Sequence, residues 1–250
     1  FDKVHKVGIM AGYSWEERVN NDGFGLTVHN FFDDKLKWNQ LSYAGTIDGM
    51  KGVESGTKET IRNISFYGRL SYSYDSRYML QATIRRDGSS VFGDGHQWGY
   101  FPSISGAWNI TEEKFMEGLK ESLSLSNLKL RIGYGVSGNA LGFGAYSAVA
   151  TYGANGTIIS IGGKDYPTLV STKLANPDLK WEKTGMLNIG LDYAFFNGRL
   201  NGSIEYYNKV TKDLIWNYPV TSFLYPFSTI SANVGEITNR GIEISINAIP

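Results

Sequence analysis

NISFYGRLSYSYDSRYMLQATIRR, running from Asn63 to Arg86, alternates twice about a short turn. Phe66, Gly68, Leu70, Tyr72 and Tyr74 share one face, and Ser65, Tyr67, Arg69, Ser71 and Ser73 the other. After the turn Tyr78, Leu80, Ala82 and Ile84 alternate with Met79, Gln81, Thr83 and Arg85. A period of two is the mark of a strand. Pairing Tyr74 with Tyr78, Tyr72 with Leu80 and Leu70 with Ala82 keeps apolar opposite apolar and sets Arg69 opposite Thr83. Asp75, Ser76 and Arg77 are then left in the loop. A slip of one residue would mix the faces, so the register is predicted along with the hairpin. Loops of this length usually put Gly or Asn at a left-handed position, and Arg77 is a poor residue for it.

The same alternation recurs along the chain. Val7, Ile9, Ala11, Tyr13 and Trp15 share a face, as do Ile104, Gly106 and Trp108. Pro102 cannot donate to a ladder and is expected at a bulge or a locally unpaired position. Leu128, Leu130, Ile132, Tyr134 and Val136 alternate with Lys129, Arg131, Gly133 and Gly135. Asn197-Gly198 is a strong hairpin signal. A two-residue loop there sets Leu191 opposite Ile204, Ile189 opposite Tyr206, Asp192 opposite Ser203 and Gly190 opposite Glu205. Ile242, Ile244 and Ile246 mark a last strand. Between Thr111 and Lys120 the pattern breaks, and Thr111 followed by Glu112 and Glu113 predicts an N-cap and one or two helical turns.

Composition narrows the function classes. Among 250 residues, Lys plus Arg and Asp plus Glu balance at 24 each, which gives no reason to expect a nucleic-acid partner. There is no cysteine, which rules out a disulfide scaffold, a thiolate metal site and a cysteine nucleophile. No apolar run is long enough for a membrane-spanning helix, and no stretch reads as a signal peptide. Phe1 and Pro250 read as ends of a piece of a longer chain.

Eight strands are predicted, joined alternately by long and short connections. The short ones fall at Asp75, at Thr111 to Asn127 and at Asn197; the long ones run from about Glu16 to Arg62, Asp87 to Gln97, Ser137 to Lys180 and Asp213 to Ala232. Long loops at one end, short turns at the other, and one apolar face per strand are what a transmembrane β-barrel needs, since lipid leaves no partner for an unpaired backbone. Tyr72, Tyr74, Tyr78, Trp108, Tyr193 and Phe195 lie near the short-turn end of the apolar face, where an interfacial girdle is expected. Alternation alone does not separate this from a soluble β-sandwich, because an outward apolar face and a core face look alike. Charged residues recurring on the opposite face favour the barrel.

Five stretches carry a family likeness. FYGRLSYSYDSRYMLQATIRRDGSSVFG (Phe66 to Gly93), WGYFPSISGAWNITEEKFM (Trp98 to Met116), LKLRIGYGVSGN (Leu128 to Asn139), NPDLKWEKT (Asn176 to Thr184) and NVGEITNRGIEI (Asn233 to Ile244) resemble the barrel of SusC/RagA-type TonB-linked outer-membrane transporters, in order. The likeness is close from about Asn63 onward and general before it. It implies an all-β chain, residues 1–250 forming about eight antiparallel strands of one larger plugged barrel of about 22 strands, in the outer membrane of a Gram-negative bacterium. It implies energised import of oligosaccharides or peptides, with TonB, a SusD-like surface lipoprotein and outer-membrane lipid as partners. Plug and remaining strands would lie outside this chain. The alternatives are a passive porin or structural barrel, and a soluble β-rich carbohydrate-binding module or enzyme.

No catalytic constellation, cofactor or metal site is expected. Glu16-Glu17 and Glu112-Glu113 are adjacent carboxylates without the separation glycoside hydrolysis needs. His5, His29 and His96 lack ligand spacing. Asp87-Gly88-Ser89-Ser90 with Asp94 reads as a turn rather than a calcium loop. Arg69, Arg85, Arg131, Asp192, Glu205 and Glu243 are the candidate lumen-facing charges, with Arg86 outward beside Arg85 at the rim. Trp38, Tyr43, Tyr146, Tyr152, Trp216 and Tyr218 are the candidate loop contacts for a sugar or a partner.

Overall fold

The computed structural model describes residues 4–20, 24–28, 51–55, 58–140, 143–221 and 229–249. Eight long strands form one antiparallel sheet, in chain order. They are β1 (His5–Asn20), β4 (Glu59–Tyr74), β5 (Tyr78–Ser89), β6 (Trp98–Asn109), β7 (Leu125–Asn139), β10 (Glu182–Phe195), β11 (Leu200–Lys212) and β14 (Glu236–Ala248). Three separate two-stranded ribbons complete the described strands: β2 (Phe24–Val28) with β3 (Lys51–Ser55), β8 (Thr151–Ile161) with β9 (Lys164–Lys173), and β12 (Ile215–Pro219) with β13 (Thr229–Asn233).

The opening hairpin has the predicted register, Tyr74 against Tyr78 and Arg69 against Thr83. Its turn differs from the expectation. The left-handed residues are Asp75 and Ser76, at φ 49° and 57°. The Arg77 amide closes the turn on the Tyr74 carbonyl at 2.9 Å, and its guanidinium is bound by Asp75 at 2.6 Å. Asp tolerates that region through local hydrogen bonding, so no glycine is required. The Asn197 hairpin keeps its register, Leu191 against Ile204 and Gly190 against Glu205. Its loop, however, is a four-residue turn over 196–199, because Phe196, Asn197 and Gly198 all take positive φ and remove one pair from the ladder.

Pro102 pairs in register with Ile84 on one side, while the ladder to β7 begins only at Ser103. The missing N–H thus falls where β6 has no second partner. The long connections are less irregular than expected. β1 continues to Asn20 and β4 begins at Glu59, and the connections after β7 and β11 hold ribbons β8–β9 and β12–β13. Thr111 is no N-cap: it lies inside a 3₁₀ turn (Ile110–Glu112), a second follows at Lys114–Met116, and α1 spans Glu117–Leu123. Thr111 is buried, with its hydroxyl 2.6 Å from Asn109 Oδ1.

The parity of the register separates two faces. Leu70, Leu80, Ile84, Leu130, Ile132, Ile204 and Ile244 form an exposed apolar band, with Leu80 47 %, Ile132 52 % and Ile244 65 % accessible, and Leu191 half-buried. Leaving one such side chain half in water forgoes about 1 kcal/mol. Over the band this approaches the whole stability of an ordinary domain, about 5–15 kcal/mol. No protein layer covers the band among the described residues, as the lipid-facing side of a barrel wall requires. At the short-turn end the band closes on a row of rings: His5 on Tyr74 (5.0 Å), Tyr74 on Tyr78 (6.3 Å) and Tyr78 on Trp108 (6.4 Å). Glu113 accepts from Tyr78 Oη at 2.5 Å and from Trp108 Nε1 at 3.0 Å, fastening the helical connection to that row.

The buried core lies at the opposite, long-loop end. Ile61, Val91, Phe92, Phe101, Ala145, Ala148, Leu179 and Trp181 make one cluster. Ile61 and Phe101 have the parity of the polar face, so this core sits on that side of the mouth. The rings of Phe92 and Phe101 stand 4.9 and 5.3 Å from Trp181. Gly93 donates to the Leu179 carbonyl (3.4 Å) and has no room for a side chain, since a Cβ there would lie 2.0 Å from the Pro177 carbonyl oxygen. Asn233 Nδ2 bonds the carbonyls of Lys180 and Asp213, both at 2.8 Å. Four of the five stretches quoted above thus meet in space.

Leu179→Ala removes the fully buried centre of this cluster, at a cost of about 2–5 kcal/mol. Amide exchange over 89–93 and 176–181 is expected to accelerate about 30-fold or more, with the sheet amides unchanged. The Glu113 carboxyl is held below its ordinary range, first by the Tyr78 hydroxyl, then by the Trp108 indole and the Arg77 charge. A depressed carboxyl stabilises the fold above its unfolded value and stops doing so as pH falls through the lower folded value. The Glu113 side-chain carbon resonance should therefore titrate below the usual glutamate range, and move back towards it in Tyr78→Phe.

Candidate functional site: the polar wall and its mouth

On the face opposite the apolar band, small and polar residues predominate. Lys6, Ser71, Ser73, Gln81, Ser105, Arg131 and Asn188 line a concave trough of about 680 Å³. Hydroxyls pair across strands, Thr184 with Thr211 at 2.9 Å and Ser203 with Ser245 at 3.0 Å. These hydroxyls are satisfied within the sheet, and the wall presents a wettable surface.

Three of the six candidate charges come together. The Arg131 guanidinium donates to both Asp192 oxygens, from Nε at 2.8 Å and Nη2 at 2.7 Å. The same Nη2 reaches Glu205 Oε1 at 2.8 Å. Arg131, Gly190 and Glu205 occupy one row on β7, β10 and β11. The arginine crosses the intervening strand because Gly190 leaves the space: a Cβ there would stand 3.0 Å from Nη2 and 3.2 Å from Cζ. Asn188 supports the far carboxylate at 3.4 Å. A bidentate pair plus a third charge fixes the side chains in place, leaving one cation between two anions on the wall.

The other three candidates stand apart. Arg85 binds Asp87 (2.7 Å) and Ser65 (2.9 Å) and lies over the Tyr67 ring at 5.8 Å. Arg69 is one same-face row below it, beside Thr83 and Met10. Glu243 continues the Arg131 row on β14, opposite Glu205. Arg86, outward as expected, stacks over Trp98 at 4.2 Å and Tyr100 at 5.5 Å. Nearer the mouth a second hollow of about 300 Å³ is lined by Glu16, Arg18, Asn63, Arg85 and Asp87 above Phe143 and Trp181. Pattern reading missed this hollow, because its floor comes from the loop core rather than from any strand.

Trp38 and Tyr43 lie outside the described residues. Tyr146 is in a turn and donates to the Lys58 carbonyl at 2.9 Å. Tyr152 is on β8, and Trp216 and Tyr218 are on one face of β12, all three exposed on ribbons rather than irregular loops. Neither hollow of the polar wall includes these aromatics. Glu16 and Glu17 point to opposite faces, Glu16 to Asn63 (3.1 Å) and Glu17 to Arg62 (2.6 Å). His5 meets the Tyr72 hydroxyl at 2.9 Å and His96 lies 3.8 Å from Asp178, while His29 is outside the described residues. No metal-holding cluster is found among the described residues.

An antiparallel sheet with an uncovered apolar face, a polar concave face and long connections at one end is a portion of a transmembrane β-barrel wall. Comparison with known proteins agrees. The family described as TonB dependent receptor-like, beta-barrel matches residues 6–248. The chain belongs to that family. It is 41 % identical over 258 residues to TonB-dependent receptor P39 of Formosa agariphila, covering all of this chain and 23 % of that protein. It is 35 % identical over 247 residues to TonB-dependent receptor SusC of Bacteroides thetaiotaomicron, covering 98 % of this chain and 22 % of SusC. The RagAB peptide importer in its closed-closed state superposes with a TM-score of 0.82 at 28 % identity, over 98 % of this chain and 26 % of that one. The chain thus spans about a quarter of the length of the relatives it matches.

Gly190→Val is expected to push the Arg131 guanidinium off Glu205 while leaving Asp192 bound. These side chains are partly exposed, so the Arg131–Glu205 coupling is about 1 kcal/mol. A double-mutant cycle read by urea unfolding of the complete receptor should give that coupling with Gly190 in place and near zero in the Gly190→Val background.

Proposed function

We propose that this chain is part of the barrel of an outer-membrane active importer of oligosaccharides, or of peptides, energised through TonB. A SusD-like surface lipoprotein captures the solute over the long connections, and the solute then passes along the polar wall once the plug is displaced. Residues 1–250 belong to one barrel domain whose plug and remaining strands lie elsewhere in the receptor. Arg69, Arg85, Arg131, Asp192, Glu205 and Glu243 line its lumen. Tyr146, Tyr152, Trp216 and Tyr218 contact the solute or the lipoprotein.

The observation that carries this reading is the pairing of an apolar outer band with a charge-crossed polar wall in a chain of the TonB-dependent receptor family. The RagAB neighbour, a peptide importer, supports the peptide cargo, and the oligosaccharide cargo rests on the resemblance to SusC/RagA-type transporters. A soluble module would bury the apolar band against protein, and the band is bare. A passive porin shares the band but needs no energy.

Cells lacking the receptor gene are expected to lose growth on one class of oligomer, glycan or peptide, and to regain it on complementation. Uptake of the labelled oligomer should stop within minutes of adding a protonophore, and a surface lipoprotein should co-purify with the receptor. Uptake that persists without the proton gradient would establish the porin instead.

A further inference from the structure

The helical connection between β6 and β7 exposes an apolar stripe that the sheet does not use. Phe115, Leu119 and Leu123 recur every four residues and are 64, 47 and 53 % accessible. Leu119 and Leu123, four apart on α1, share a face, with Glu117 and Glu121 on the opposite side; Phe115 precedes them in the 3₁₀ turn Lys114–Met116. The segment follows the rim. Its start is held by Glu113 to Tyr78 and Trp108, on the outward face of β5 and β6. Its end is held by the Phe196 amide, which donates to the Ser124 carbonyl at 2.8 Å beside the β10–β11 turn. Seven residues of α1 cover about 10 Å, close to two strand spacings of about 4.8 Å. Held at both ends, the segment stays at the short-turn rim.

We propose that this segment is an interfacial anchor, with Phe115, Leu119 and Leu123 seated in the headgroup–acyl boundary of the periplasmic leaflet. The inference rests on the membrane-barrel reading. Three observations select lipid as occupant. The stripe begins two residues after Glu113, which is bound to Tyr78 and Trp108 at the end of the apolar, outward face of the sheet. Phe196, on the adjoining turn, adds an aromatic side chain 56 % accessible at the same end. The groove between helix and turn, about 680 Å³, is lined by Lys120 and Arg199 with Glu121, a net positive setting suited to lipid phosphate. The strands flanking the segment on both sides are in this chain, so further barrel strands do not reach it along the circumference. An amphipathic helix lying in the interface is a known solution for such a surface.

The test uses the complete receptor in phospholipid nanodiscs, spin-labelled at single cysteines introduced at Phe115, Leu119 or Leu123, at Glu117 or Glu121, and at Leu80 on the outward face of β5. All these sites are solvent-accessible in the sheet portion, and heat-modifiable gel mobility verifies folding. Collision with oxygen should exceed collision with a water-soluble nickel chelate several-fold at the three stripe positions and at Leu80, and the order should reverse at Glu117 and Glu121. Stripe labels open to the nickel chelate would place the segment in water and overturn the proposal. Stripe labels shielded from both reagents would place protein over it and overturn it equally. Either result with Leu80 still favouring oxygen leaves the barrel reading intact, whereas a Leu80 label open to nickel would remove both.

Discussion

Side chains of a strand change face at every residue, and each ladder from β1 to β14 preserves the same parity. A shift appears in these ladders between Ala194 and Phe195, at the short-turn end where the strands are already leaving the sheet. Everything else depends on that agreement. One residue of slip in any pair would put Arg131 or Glu205 among lipid tails and Leu130 or Ile204 in the wet trough. An arginine or lysine at the bilayer midplane of a barrel costs about 2–4 kcal/mol and a carboxylate less, so each ladder is pinned by several such penalties at once. The short turns serve the same end. Asp75-Ser76 and Phe196-Asn197-Gly198 accept left-handed backbone so that the strands they join keep opposite apolar partners.

The two ends of the sheet solve different problems. At the short-turn end the backbone leaves the membrane within a few residues, and a row of rings with the Glu113 clip finishes the apolar surface. At the mouth the strands run on past the band, where water would separate them. There the sheet acquires the core that an open wall lacks. Trp181 packs between Phe92 and Phe101, and Leu179 fills the centre with no exposure. The Trp181 indole also donates to the Gln97 carbonyl at 2.9 Å, so packing and hydrogen bonding close the same junction.

What the sequence disclosed follows from which interactions are local. The wall was legible because alternation is local: both hairpin registers could be written down from parity alone. Arg131, Asp192 and Glu205 could be assigned to one face, but their meeting could not, since it depends on the empty space over Gly190 two strands away from Glu243. The turn chemistry was partly misread. Arg77 reads as a poor residue for the left-handed position of a three-residue loop, and Asp75 and Ser76 take that conformation instead. Thr111 resembled a cap by composition, yet its hydroxyl is spent on Asn109 and burial. The mouth was opaque because Val91-Phe92 and Leu179-Lys180-Trp181 are short apolar runs in polar company, with no period to signal a partner. The ribbons β8–β9 and β12–β13 were hidden because their strands are short or interrupted: β12 and β13 have five residues each, and the β8–β9 register shifts twice.

The knot of Gly93, Leu179 and Asn233 divides the upper part of the molecule into a collar and three arms. The collar is closed by backbone groups and buried rings, so its geometry does not depend on what lies beyond it. Ribbons β2–β3, β8–β9 and β12–β13 leave and return at points that the collar or the first strands already fix. Such arms are interchangeable parts. Their length, charge and aromatic content can change without disturbing a single ladder of the wall, so the surface above the sheet can be remodelled while the sheet beneath it stays the same.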